Sequence, residues 1–238
     1  MAPSLPHSLA ALGDAVWPAD TLGSAAGATL ASGHAALDAV LPGGGWPLDA
    51  LSELLQPPGL HAEWRLLLPA LVRLQQASPG ALVLVGPPHV PFGPALQAQG
   101  LAVQRLLWLQ VSEPQARLWA TEQALRCAGV QAVLAWLPQV RAEPLRRLQL
   151  AAAAGRTLGL MLIRQGQGSN ATETRWSCAP LPNPAVPADA DSTLHQWSLI
   201  KNKSGTLGDW TVRWNGASAA FHLVSKAGER PGLAPPPL

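Results

Sequence analysis

The segment VQAVLAWLPQVRAEPLRRLQLAAAAGRTLGLMLI (130–163) decides the fold class. It opens on the apolar run VQAVLAWL (130–137) and closes on a second, TLGLMLI (157–163). Apolar side chains at consecutive positions suit a strand buried on both faces, as in the middle of a parallel sheet. Between the runs, Leu145, Leu148 and Ala152 recur at helical spacing, and Gly155 is a stop signal. A strand–helix–strand unit is what parallel pairing requires, because parallel neighbours need a long crossover.

Outward from this unit the signature repeats. ALVLVG (81–86) and LLWLQV (106–111) are further apolar runs, and the series recurs about every 25 residues, the length of a βα unit. Trp108 and Trp136 fall inside these runs and are expected to pack in the core. LSELLQ (51–56) reads as an earlier strand, followed by an amphipathic helix marked by Leu60, Trp64, Leu67, Leu68 and Leu71. Pro69 is predicted to kink that helix or divide it. Ser112 and Gln115 form a capping-box pair, with Pro114 in the first turn and Gly129 ending the segment.

Residues 165–192 are rich in Gly, Ser, Asn, Thr and Pro and are read as a long loop or insertion. Beyond them, TLHQWSLIKNK (193–203), WTVRWNG (210–216) and AAFHLVSK (219–226) alternate like half-buried strands, and Asn215-Gly216 signals a hairpin. The predicted fold class is α/β: a mostly parallel central sheet flanked by helices, with antiparallel strands at the C-terminal side. One domain is expected over residues 30–226. It follows a lead-in segment (1–29) in which Val16 and Trp17 dock on the domain, and precedes a disordered Pro-rich tail (227–238).

Apolar residues make up 48% of the chain and charged ones 13%, which supports a filled core and argues against global disorder. A net charge of +2 is too small to announce a nucleic-acid or membrane partner. Cys127 and Cys178 lie far apart without CxxC spacing and read as free thiols in a reducing cytoplasm. No secretory leader pattern and no membrane-spanning apolar run is present, so a cytoplasmic protein is expected.

LASGHAALDAVLPGGGWPLDALSELLQPPG (30–59) resembles the segment that leads into the RecA-type ATPase core. Ser32-Gly33, Leu37-Asp38, Gly43-Gly44-Gly45, Pro47 and Glu53 occupy the matching positions, and the likeness runs over roughly 30–225, to the KNK at 201–203. Asp38 and Glu53 are expected to shape turns and strand ends rather than do chemistry. The resemblance implies a RecA-like core, yet the phosphate-loop position reads QPPGLHAEWRLLL (56–68). Two prolines there remove amide donors, and the first lysine of the chain is Lys201. Trp136 stands where the metal-binding aspartate would end its strand, and Pro87-Pro88-His89 stands where the catalytic glutamate would fall. The reading is therefore a non-enzyme with no catalytic, cofactor-binding or metal residues and no cofactor.

Two groups combine a RecA-like core with this loss. LPGGGWP, PPHVPFGPAL, WATEQALR, AVLAWLP and LRRLQLAAAAG resemble the ImuA family, and the chain is identified as a member of it. That resemblance implies a damage-inducible accessory factor of translesion DNA synthesis. Its partners would be an ImuB-type polymerase-like protein, RecA and, indirectly, the DnaE2 polymerase. The alternative is an inhibitor of cell division similar to SulA, which binds FtsZ.

The candidate surfaces are basic. Trp197, Trp210 and Trp214 interleave with Lys201, Lys203 and Arg213, a pattern that can bind single-stranded nucleic acid weakly by stacking and phosphate contact; a solvated sheet face is the plainer reading. Arg141, Arg146 and Arg147 form a basic helical patch, read first as a solvated face and otherwise as able to meet DNA or an acidic partner. Gln196-Trp197-Ser198-Leu199-Ile200 loosely resembles a sliding-clamp-binding pentapeptide but reads as a strand. His61, Glu63 and His89 lack HExxH spacing and a third ligand, and are assigned a structural or surface role.

Overall fold

A computed structural model of the chain describes residues 28–39, 41–138, 140–164, 172–181, 192–202, 208–215 and 218–223. The elements run β1 (Thr29–Leu30), α1 (Ala35–Asp38), β2 (Trp46–Pro47), β3 (Leu51–Gln56), α2 (Glu63–Ala77), β4 (Ala81–Val85), α3 (Gly93–Ala98), β5 (Leu106–Leu109) and α4 (Pro114–Arg126). They continue with β6 (Val130–Leu137), α5 (Ala142–Gly155), β7 (Leu158–Arg164), β8 (Thr174–Leu181), β9 (Ser192–Asn202), β10 (Gly208–Asn215) and β11 (Ser218–Leu223). Among the described residues the main sheet has nine strands in the order β11-β10-β9-β8-β3-β7-β6-β4-β5. β8 through β5 in that order are parallel, and β9, β10 and β11 extend the sheet antiparallel. This is the α/β class with the mostly parallel sheet and antiparallel C-terminal strands that the periodicity predicts.

Alternation along each strand feeds two cores. Val83, Val85, Val133, Ala135, Met161 and Ile163 pack with Leu125 of α4 and Leu145, Leu148 and Ala152 of α5. Leu82, Leu84, Leu134, Leu160 and Leu162 pack with Leu66, Leu67, Leu71 and Leu74 of α2. Trp46, Trp176 and Trp197 complete the second core, with Trp46 edge-on to Trp176 at a centroid separation of 5.8 Å.

Several local expectations need correction. α2 runs through Pro69 as one helix from Glu63 to Ala77. Proline inside a helix costs about 3 kcal/mol. Each fully buried leucine of α2 returns about 1.5–3 kcal/mol, and four of them outweigh the proline. The capping box does not form: α4 begins at Pro114 after Glu113, with no side-chain cap. Gly155 does end α5, as its last residue, and Arg156 beyond it takes the left-handed position, at φ 51°. A side chain at Gly155 would overlap the Leu125 carbonyl, so glycine is there to let α5 meet the end of α4. Gly45 has a similar reason, since a β-carbon there would strike the Leu30 backbone of the β1–β2 pair.

The largest difference lies in the stretch read as a loop or insertion. Residues 174–181 form β8, which pairs with β3 on one side and β9 on the other. Trp108 is not a core residue: β5 is the edge of the sheet, and Trp108 is 39% exposed. The Asn215-Gly216 hairpin signal is matched by antiparallel pairing of β10 and β11 through Asn215 and Ser218. Val16, Trp17 and the Pro-rich tail lie outside the described residues. Among the described residues no helix is long and apolar enough to cross a membrane.

Candidate functional site

Ligand sites of α/β sheets lie beyond the carboxyl ends of the parallel strands. Here that edge is built by the β3–α2 connection (57–62), the β4–α3 connection (86–92) and the end of β6. A cavity of about 490 Å³ is lined by residues including Gln56, Pro57, His61, Pro87, Arg117 and Trp136. A second, of about 280 Å³, is lined by residues including His61, Trp64, Pro88, His89, Phe92 and Trp136.

Below this edge sits a buried carboxylate. Glu63 opens α2, where the helix dipole favours negative charge. Gln56 Nε2 donates to Glu63 Oε2 at 3.0 Å, and Trp136 Nε1 donates to Glu63 Oε1 at 3.3 Å. Gln56 Oε1 in turn accepts the Ala62 N–H at 3.1 Å, tying the end of β3 to the start of α2. Trp136 also packs on Trp64, at a centroid distance of 6.3 Å. The end of β6 thus carries an indole that donates to a carboxylate from another element.

His61 lies above this cluster, its Nδ1 3.9 Å from Glu63 Oε1, beyond hydrogen-bond range. Its Nε2 meets His89 Nε2 at 3.2 Å, with the rings nearly perpendicular at 84°. The three residues that spacing alone sets aside are therefore neighbours. The signal that could have found them is positional: both histidines follow parallel strands, and such connections gather at one edge of the sheet.

The edge offers little to a phosphate. Pro57 and Pro58 bring no amide donors. Arg117 directs Nε and Nη2 at the Val111 carbonyl, at 3.0 and 2.8 Å, and Nη1 at the Trp136 carbonyl, at 2.7 Å. Its guanidinium clamps α4 to the strand ends. No group of three His, Cys, Asp or Glu side chains arranged to hold a metal occurs among the described residues. What the edge does offer is apolar: Val90 and Phe92 are each 70% exposed beside the second cavity. Exposed apolar groups clustered at a cleft mark contact surfaces.

The basic candidates lie elsewhere. Arg141, Arg146 and Arg147 are exposed at the start of α5, and Arg147 is paired with Glu122 of α4 at 2.6 Å. Glu122 also holds Arg126, at 3.2 Å. Lys201 lies in β9, and Trp210, Arg213 and Trp214 in β10, but their side chains, like Lys203 altogether, are outside the described residues. Trp197 is buried and cannot serve as a stacking platform, and burial of Trp197 and Leu199 in β9 removes the anchors of the clamp-like pentapeptide. Cys127 is an exposed free thiol, whereas burial, with a smaller push from the Glu63 charge, raises Cys178 to about 12.

A family model described as "Cell division inhibitor SulA" matches residues 54–159, from within β3 to the start of β7. The SulA protein of Pectobacterium atrosepticum is 32% identical over 142 residues, which cover 59% of this chain and 81% of that protein. The chain belongs to the SulA family. The Edwardsiella piscicida SulA is 36% identical over 100 residues, spanning 42% of this chain and 60% of its own length. The crystal structure of SulA from Pseudomonas aeruginosa aligns at 29% identity and a TM-score of 0.41, covering 48% of this chain and 98% of that one.

This overturns the translesion-synthesis reading and the partners that came with it, the ImuB-type protein, RecA and DnaE2. The relatives are named division inhibitors. The absence of phosphate-loop residues could not choose between the two. The alignment over the parallel strands does.

Proposed function

We propose that this SulA-family protein inhibits cell division by binding FtsZ, acting as a stoichiometric ligand in the cytoplasm during the response to DNA damage. Membership of the SulA family carries this reading. The chemistry of the carboxyl edge supports it, because prolines and an occupied arginine replace the groups that would handle a nucleotide. The frame is read as RecA-type, with the β3–α2 connection in the phosphate-loop place. The proposed contact surface is the β4–α3 connection, where Val90 and Phe92 stand exposed.

The test is the GTPase rate and sedimentation of FtsZ titrated with the purified protein. Inhibition saturating near one protein per FtsZ is expected, and Phe92→Glu should relieve it at least about tenfold, as removal of a buried anchor does. No inhibition at molar excess of the unaltered protein would sink the proposal. Full inhibition by a folded Phe92→Glu variant would move the surface elsewhere.

A further inference from the structure

We propose that His61 and His89 form a two-histidine site for a divalent transition-metal ion such as Zn²⁺ or Ni²⁺. The argument starts from the bite distance. Zinc–imidazole bonds of about 2.0–2.1 Å at a tetrahedral angle place the two nitrogens about 3.3 Å apart. The Nε2 atoms stand 3.2 Å apart. The pair therefore already has the nitrogen spacing that a tetrahedral ion would impose.

The surroundings orient the ligands. His61 Nδ1 faces the Glu63 carboxylate at 3.9 Å, an electrostatic contact rather than a hydrogen bond, while Nε2 is turned toward His89. Glu63 is itself held by Gln56 and Trp136, so the carboxylate behind the ligand is fixed. His89 follows Pro87 and Pro88, whose fixed φ angles limit the freedom of its loop. Without metal, the same contact is a hydrogen bond between the two Nε2 atoms, one donating and the other accepting according to the tautomers.

Both histidines are exposed and border the 280 Å³ cavity, so water can fill the remaining coordination positions. Two imidazoles suit Zn²⁺, Ni²⁺ or Cu²⁺, whereas Mg²⁺ and Ca²⁺ demand oxygen ligands. With two protein ligands rather than four, the affinity falls well short of a structural zinc site. The inference does not rest on the division-inhibitor reading.

Titration calorimetry of the full chain with ZnCl₂ and NiCl₂, in a non-chelating buffer, tests it. One ion per chain with micromolar affinity is expected, with no heat from MgCl₂. His61→Ala and His89→Ala should each weaken binding at least about tenfold, and Glu63→Gln about threefold to tenfold. The double variant His195→Ala/His222→Ala should bind like the unaltered chain. Imidazole nitrogen NMR of the unaltered protein gives a readout independent of variant folding: zinc should shift two histidine Nε2 resonances together. Absence of saturable binding below about 100 µM, retention of affinity without either histidine, or shifts at a different set of histidines would each overturn the site.

Discussion

Two glutamates, ten positions apart, are buried against β3 and answer burial in opposite ways. Glu53, inside β3, is met by a charge: Arg175 Nε donates to Oε2 at 2.9 Å, Arg175 Nη2 to Oε1 at 3.3 Å, and the Thr172 hydroxyl to Oε1 at 2.6 Å. Both of these partners come from β8 or the residues just before it. Glu63, at the start of α2, is met by the neutral donors of Gln56 and Trp136 and by a histidine at longer range. The first arrangement locks one strand to another. The second leaves a carboxylate able to orient a surface side chain. A buried acid is thus a fastening or a functional support according to whether its neighbour carries a compensating charge.

That contrast can be broken by mutation. Arg175→Ala strands the Glu53 charge in the interior and should cost about 3–5 kcal/mol, read as a shift in the urea midpoint. Glu53→Leu combined with Arg175→Met should recover much of that loss, because an apolar pair leaves no charge unpaired. A loss below about 1 kcal/mol for Arg175→Ala would mean that β8 is not held by this pair.

Glu63→Gln removes a charge but keeps a shape and an acceptor, and its expected cost is smaller, about 1–2 kcal/mol by the same measurement. Equal costs for Glu63→Gln and Arg175→Ala would erase the distinction drawn between the two acids.

The smallest effect concerns His34, a third buried titratable group, packed near α2. Burial lowers its pKa from 6.5, against the opposing pull of Asp38 and a hydrogen bond with the Leu66 backbone, and Arg73 adds to the lowering. The fold therefore prefers the neutral ring, and the unfolded chain binds the proton more readily. Stability should be level above pH 6.5 and fall as the pH drops below it, toward the folded-state value. His34→Gln should remove that component of the pH dependence in denaturant titrations. An unchanged slope between pH 6.5 and 5 would assign it to other groups.

The comparison also shows why some elements were legible and others not. β3, β4, β6 and β7 are buried on both faces, so their apolar runs announce them whatever surrounds them. β8 carries a period-2 pattern instead. Thr174, Trp176 and Cys178 are buried, while Arg175 and Ser177 are half-buried. Neighbouring Gly, Ser, Asn and Pro conceal that alternation, and the pairing partner β3 lies more than a hundred residues earlier. β5 fails in the other sense: its run LLWL reads as interior, but among the described residues nothing pairs beyond it in the sheet. The histidine pair is hidden for a related reason. His61 and His89 are 28 residues apart and meet only because two connections converge at one sheet edge.

The sequence by itself determined the order of the parallel βα units and the exclusion of a lysine-bearing phosphate loop. Both are local facts, one of periodicity and one of residues missing from a short segment. Those missing residues alone could not choose between the two groups; similarity along the chain to SulA proteins did. Tertiary structure alone decided that Glu53 is neutralised by Arg175, that Trp197 is interior and that two histidines face each other above Glu63. Each of these depends on which strands and connections are neighbours, a long-range outcome of sheet order that no window of sequence contains.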